Sequence, residues 1–236
     1  MPLRERQERM KVRTKAAAAI GAAVAMAAVT AMAAWAAGST TITPAGDYAK
    51  ASLRSGTNAQ FTIAGFLSVT CNQSTSAPTS PLGTNTKNKI PAAPGNHNPS
   101  GPVSLPVNAP NFTNNGGACP TSISGVTAST TTSGSWTLSG QNGSPITGSL
   151  TIPQNGAVTT TSNGCTITVA PNGPVTVSGT WTNGNSRTPS RIAISGASVP
   201  VSVSGGFGCF GSSASFTATY DVTDVSNTSA VVTVGP

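Results

Sequence analysis

Very few side chains in this chain could carry acid–base chemistry. Past residue 36 its acids are Asp47, Asp221 and Asp224, with no glutamate, and its one histidine is His97. Glycoside hydrolysis takes two carboxyl groups on opposite sides of a cleft, so it is open to this chain only where Asp47 meets Asp221 or Asp224. The latter two flank a strand end, which reads as turn or solvent-facing positions. A serine or cysteine nucleophile would have to use His97 as its base, and that residue stands in Gly95-Asn-His-Asn-Pro99, among turn formers. No G-x-S-x-G, G-K-[ST] or G-x-G-x-x-G opens a helix, and one histidine builds no metal cluster. The chain reads as a non-enzyme with no catalytic residue, no metal and no cofactor.

The four cysteines, Cys71, Cys119, Cys165 and Cys209, are the remaining reactive groups. Their spacings of 48, 46 and 44 residues contain no C-x-x-C, which argues against zinc or thioredoxin-like chemistry. An even number of cysteines suits an exported chain. Two stretches share a frame, Ser162 to Cys209 and, more loosely, Cys71 to Cys119. Pro110 and Pro200 each precede the second cysteine by nine residues, with Gly116-Gly117 and Gly205-Gly206 closer to it. One bridge per frame is therefore expected, Cys71 with Cys119 and Cys165 with Cys209. The repetition allows two halves, 41–128 and 133–236, although no linker separates Cys119 from Cys165.

Sugar binding needs only flat rings, and Trp136, Trp181, Tyr48 and Tyr220 are the candidate ligand contacts, with His97 as a polar one. Both tryptophans share a phase with apolar neighbours, Trp136 with Leu138 and Trp181 with Val175 and Val177. That phase makes them core residues first.

Short strands must position all of these groups. Asp47 to Leu53 and Ala59 to Ala64 alternate apolar with polar around Ser55-Gly56-Thr57, and Leu67, Val69 and Cys71 share a face. Cys165, Ile167 and Val169, then Val175, Val177, Gly179 and Trp181, then Phe216, Ala218, Tyr220 and Val222 do the same. Asn-Gly pairs at 115, 142, 155, 163, 172 and 183 are hairpin signals, and so many of them predict a meander. Pro106 makes Val103 to Val107 an edge strand. Between Asn72 and Pro102 the pattern gives way to Ser, Thr, Asn, Pro and Gly, predicting a mobile loop that carries His97.

The N-terminal 36 residues have a different logic. Six of the twelve basic residues precede an apolar run, Ala16 to Ala34, followed by Ala34-Trp35-Ala36. That order is a secretory signal peptide, with a membrane role only through an uncleaved signal segment. The net charge of +7 is mostly a targeting feature and argues for no nucleic-acid partner. After residue 36 only three acids and six bases remain, against a typical charged fraction of about 25%. The outer strand faces are then Ser, Thr and Asn, and edges without lysine invite self-association.

The Ala-rich leader and segments such as Gly164-Cys-Thr-Ile-Thr-Val169 and Gly173-Pro-Val-Thr-Val-Ser-Gly-Thr-Trp181 resemble exported, uncharacterised β-rich proteins of high-GC Gram-positive actinobacteria. The resemblance implies export and a β fold, and carries over no activity or site. The expected fold is all-β, an antiparallel β-sandwich or barrel-like meander after an N-terminal signal helix. The expected role is that of a secreted, non-catalytic cell-envelope or extracellular protein with structural or adhesive duties. Its expected partners are cell-wall polysaccharide or further copies of itself. A polysaccharide-binding module is the second reading and a secreted hydrolase the third.

Overall fold

The computed structural model describes residues 38–63, 65, 67–206 and 208–236, so the expected leader, 1–36, lies outside the described residues. In chain order the strands are β1 (Thr40–Thr43), β2 (Ala49–Leu53), β3 (Ala59–Ile63), β4 (Leu67–Cys71), β5 (Gln73–Ser76), β6 (His97–Asn98), β7 (Val103–Val107), β8 (Asn111–Thr113) and β9 (Cys119–Pro120). There follow β10 (Thr127–Thr132), β11 (Trp136–Gln141), β12 (Thr147–Ile152), β13 (Ala157–Thr161), β14 (Thr166–Val169), β15 (Val175–Thr182), β16 (Ser190–Ser204), β17 (Ser213–Asp224) and β18 (Thr233–Gly235). The chain is all-β, its antiparallel sheets forming a curled half-barrel.

One long hairpin organises it. β16 runs for 15 residues, and its register with β17 shifts between Ile194 and Ala197. Gly196 there adopts φ +60°, a backbone state that costs glycine little. Before the shift β16 pairs with β15; after it, Val201 to Ser204 pair with β14. β17 likewise pairs with β2 at its end and with β3 near its start. The hairpin therefore feeds two surfaces. One runs β7-β11-β12-β15-β16-β17-β2-β5-β8, the other β9-β10-β13-β14-β16-β17-β3-β4. A lone bridge, Val69 with Thr121, and the Ser122 N–H to Ser68 carbonyl bond of 2.8 Å draw the β4 and β9 edges together.

Period-two alternation explains which side each strand buries. Val103, Leu105 and Val107 of β7 are buried, as are Ala214, Phe216, Ala218, Tyr220 and Val222 of β17. A separate sheet, β18-β1-β6, lies over the apolar side of β11. It comes close because Gly140 has no side chain: a Cβ there would sit 3.0 Å from Val234 Cγ2. Both expected bridges are formed, Cys71–Cys119 between β4 and β9, and Cys165–Cys209 between the start of β14 and the loop after β16.

The structure corrects three expectations. The barrel-like antiparallel fold is as expected, but not every Asn-Gly closes a hairpin: those at 142, 163 and 183 join paired strands, whereas β8 and β9, β12 and β13, and β14 and β15 are not paired with each other. The frames do not fold as halves, because β17 pairs with β2 and β3, and β18 with β1. The stretch from Asn72 to Pro102 is a seated strap rather than a loose loop, and asparagine side chains seat it. Asn88 Nδ2 donates to the Ala49 carbonyl at 3.2 Å, Asn88 Oδ1 accepts from Asn108 N–H at 2.8 Å, and Asn96 Nδ2 donates to the Ile42 carbonyl at 3.0 Å. Ile90 is fully buried between them. Side-chain amides supply both donors and acceptors, so a segment without strand alternation still satisfies its neighbours' backbone.

Candidate functional site

The aromatic candidates offer no ring face to a ligand. Trp136 and Trp181 are 2% and 5% exposed, and their indole N–H groups donate to the Ser133 carbonyl at 2.9 Å and to Asn183 Oδ1 at 2.8 Å. Tyr48 is buried under the strap, its hydroxyl donating to the Asn85 carbonyl at 3.1 Å and Lys89 Nζ lying 5.4 Å from its ring centre. Tyr220 meets Ser74 Oγ at 2.9 Å, and burial pushes its phenol up to about 12, against the opposing pull of that hydrogen bond. None of the four rings is a sugar platform: alternation places Trp136, Trp181 and Tyr220 on the inner side, where apolar bodies belong, and the strap covers Tyr48, which has the outer phase of Lys50. His97 is exposed on β6, its Nδ1 2.8 Å from Thr41 Oγ1, so its partner is a threonine rather than a carboxylate or thiol. All four cysteines are consumed in bridges. Among the described residues no three His, Cys, Asp or Glu side chains gather to hold a metal.

The three acids separate into two environments. Asp221 lies on the outer side, 3.6 Å from Arg54 Nη1 and 3.5 Å from Arg191 Nε. Asp224 holds the expected turn position at the end of β17, but it is not solvent-facing, since it is only 3% exposed. The alternation Phe216, Ala218, Tyr220, Val222 continues to Asp224, and that phase was a legible sign of its inward direction. Its Oδ1 accepts the N–H groups of Ser226 at 2.7 Å and Asn227 at 2.8 Å, while Oδ2 is buried without a hydrogen-bond partner. Asp224 is the register partner of Ala49 on β2. Asp47, two residues earlier in the same phase, is thus its diagonal neighbour. Burial raises the Asp224 carboxyl above the ordinary aspartate range; the two N–H bonds oppose this and Asp47 adds to it. A cavity of about 240 Å³ lies beside Asp224, lined also by Arg187, Thr188, Val222, Thr228 and Val231.

The other distinctive surface has no charge at all. Across β7, β11, β12 and β15 the register aligns Ser104, Ser139, Ser149 and Ser178 in one row, and Pro106, Thr137, Thr151 and Thr176 in the next. Gln141, Thr147 and Thr180 form a third. The rows between them, Leu105-Leu138-Leu150-Val177 and Val103-Gly140-Gly148-Gly179, have the opposite phase and face the core. Neighbouring hydroxyls bond across strands, Ser104 with Ser139 at 2.7 Å and Thr151 with Thr176 at 2.8 Å. Strands about 4.8 Å apart, with same-face residues about 6.8 Å apart along each, make this a regular array. Every hydroxyl in it can both donate and accept. The Ser and Thr content was plain in the sequence, but alignment into rows depends on register and was not.

One strand edge that could add another chain is occupied. Asn183 Oδ1 accepts the Val234 N–H at 2.8 Å and its Nδ2 donates to the Val234 carbonyl at 2.8 Å, closing the outer side of β18. Two disulfides suggest an oxidising, extracellular environment. Among the described residues no helix is long and apolar enough to cross a membrane. No protein-family model, no curated protein and no solved structure matches the chain.

Proposed function

We propose that this chain is an exported, non-catalytic protein of the cell envelope or extracellular space, with an adhesive or structural role. Its contact surface is the hydroxyl face of β7, β11, β12 and β15, and its partner is neutral wall polysaccharide. The carrying observation is the set of aligned rows of Ser and Thr without a charged side chain. Such a face matches a polyol by exchanging hydrogen bonds and leaves no buried ion to desolvate at the contact. The basic, apolar and small-residue order of residues 1–36 supports export. Closure of β18 by Asn183, and of the β4 and β9 edges on each other, favours contact through a face over strand addition.

Fractionation of producing cells tests the export half of the reading. The form outside the membrane is expected to begin shortly after Ala36 and to sediment with the wall until the polysaccharide is digested. Recovery of the chain only in the cytosol with Met1 to Ala36 intact would refute it.

A further inference from the structure

Two acids that the adhesive role does not use meet at the junction of three segments. Asp47 precedes β2, Asp224 ends β17, and the strap crosses beside them. The Val225 N–H donates to the Tyr48 carbonyl at 2.8 Å, extending the β2–β17 pairing by one rung. Tyr48 N–H donates to Ser226 Oγ at 2.8 Å, Ile90 N–H to the Asp47 carbonyl at 2.8 Å and Ala49 N–H to the Asn88 carbonyl at 2.8 Å. The strap and the turn into the C-terminal segment are thus both hooked onto residues 47–49. Within this junction Asp224 Oδ2 has no hydrogen-bond partner.

We propose that Asp47 and Asp224 share one proton, carried on Asp224 Oδ2 and donated to the Asp47 carboxylate, as a latch holding the strap and the C-terminal turn against β2. Two carboxyl groups side by side do not both ionise at low cost, and a buried oxygen without a partner calls for a donor. A calcium ion is the competing occupant and would need about six to eight oxygens. The carbonyls of Asp47 and Tyr48 already accept the Ile90 and Val225 N–H groups. A proton needs only the two carboxyl oxygens.

The charged groups around the pair leave this balance in place. Lys89 on the strap sits over the Tyr48 ring, and Lys50, opposite Thr223, belongs to the other face of β2. Asp221, Arg54 and Arg191 form their cluster on that outer side. Arg187 lines the cavity beside Asp224 and forms no ion pair with it. Raising the pH removes the shared proton to solvent and leaves two adjacent anions at the junction. The folded state binds this proton more tightly than the unfolded chain does, so the latch is strongest in acid. Its contribution is lost as pH rises from the ordinary aspartate value, about 3.9, through the higher value of the folded protein.

The test is thermal unfolding of the disulfide-bonded mature protein from acid to alkaline pH, for wild type, Asp224→Asn and Asp221→Asn, with carbon-detected NMR titration of the wild-type aspartate carboxyls. The wild-type Tm is expected to fall as the pH rises, and that fall to disappear in Asp224→Asn, whose amide donates to Asp47 without titrating. Asp221→Asn should keep the fall. In the NMR titration Asp224 should protonate above the ordinary aspartate range. Titration of Asp224 within the ordinary aspartate range would overturn the proposal, even if the variants fail to fold. A rise in Tm on adding calcium chloride that Asp224→Asn abolishes would overturn it too, by assigning the site to a cation.

Discussion

Replacing Cys71 and Cys119 together by alanine is expected to lower stability by about 2–5 kcal/mol. In the chain-entropy model a bridge spanning 48 residues removes roughly 4 kcal/mol of unfolded-state freedom. For a chain of this size that corresponds to a drop in Tm of roughly 8–16 °C. The location of the bridge adds a structural consequence. It joins β4 to β9, the two edges that the Val69–Thr121 bridge also brings together. Hydrogen exchange should therefore accelerate first at Ser122, whose N–H donates to Ser68, before it does so in β15 or the N-terminal part of β16. The Cys165–Cys209 bridge spans a similar 44 residues, but its ends are already neighbours through β14 and β16, whose pairing reaches Thr166 and Ser204. Its removal should cost similar stability without that local opening. Equal exchange at Ser122 in both variants would show that the half-barrel is held by strand pairing alone.

Trp136→Ala is expected to cost about 3–5 kcal/mol, the range for a buried tryptophan truncated to alanine. The ring is 2% exposed and borders an apolar cavity of about 60 Å³ that Phe61, Phe112 and Phe216 also line, so truncation enlarges an existing void. The loss should appear as a lower denaturation midpoint with an unchanged slope. Retention of the folded fraction on polysaccharide should be unaffected. Intact stability with lost retention would return Trp136 to the role of a sugar platform.

Much of this was legible in the chain, and what was not has a common cause. Alternation in Leu67-Val69-Cys71 and Phe216-Ala218-Tyr220-Val222 identified strands and their inner faces because side-chain direction has a period of two. The cysteine frames led to the right bridges even though the frames are not structural halves. Neighbour relations were a different matter. Whether Asn172-Gly173 closes a hairpin depends on where β14 and β15 find partners, and both find β16, at opposite ends of its bend. The strap was not legible because asparagine and proline are turn formers by propensity, whereas Asn88 and Asn96 here bond the backbone of distant strands. Asp47 and Asp224, 177 positions apart in the sequence, meet only through the β2–β17 register. The hydroxyl rows likewise needed four strands in register before Ser and Thr content became a surface.

The adhesive reading is tested most directly by retention of the purified mature protein on insoluble wall polysaccharide, comparing wild type with Thr137→Val/Thr151→Val/Thr176→Val. Valine keeps the shape and strand preference of threonine and removes three aligned hydroxyls, so the fold should persist. At about 1 kcal/mol for each hydrogen bond lost, retention should weaken at least about tenfold. Retention of the triple variant equal to wild type, or no retention of wild type on any wall fraction, would contradict it.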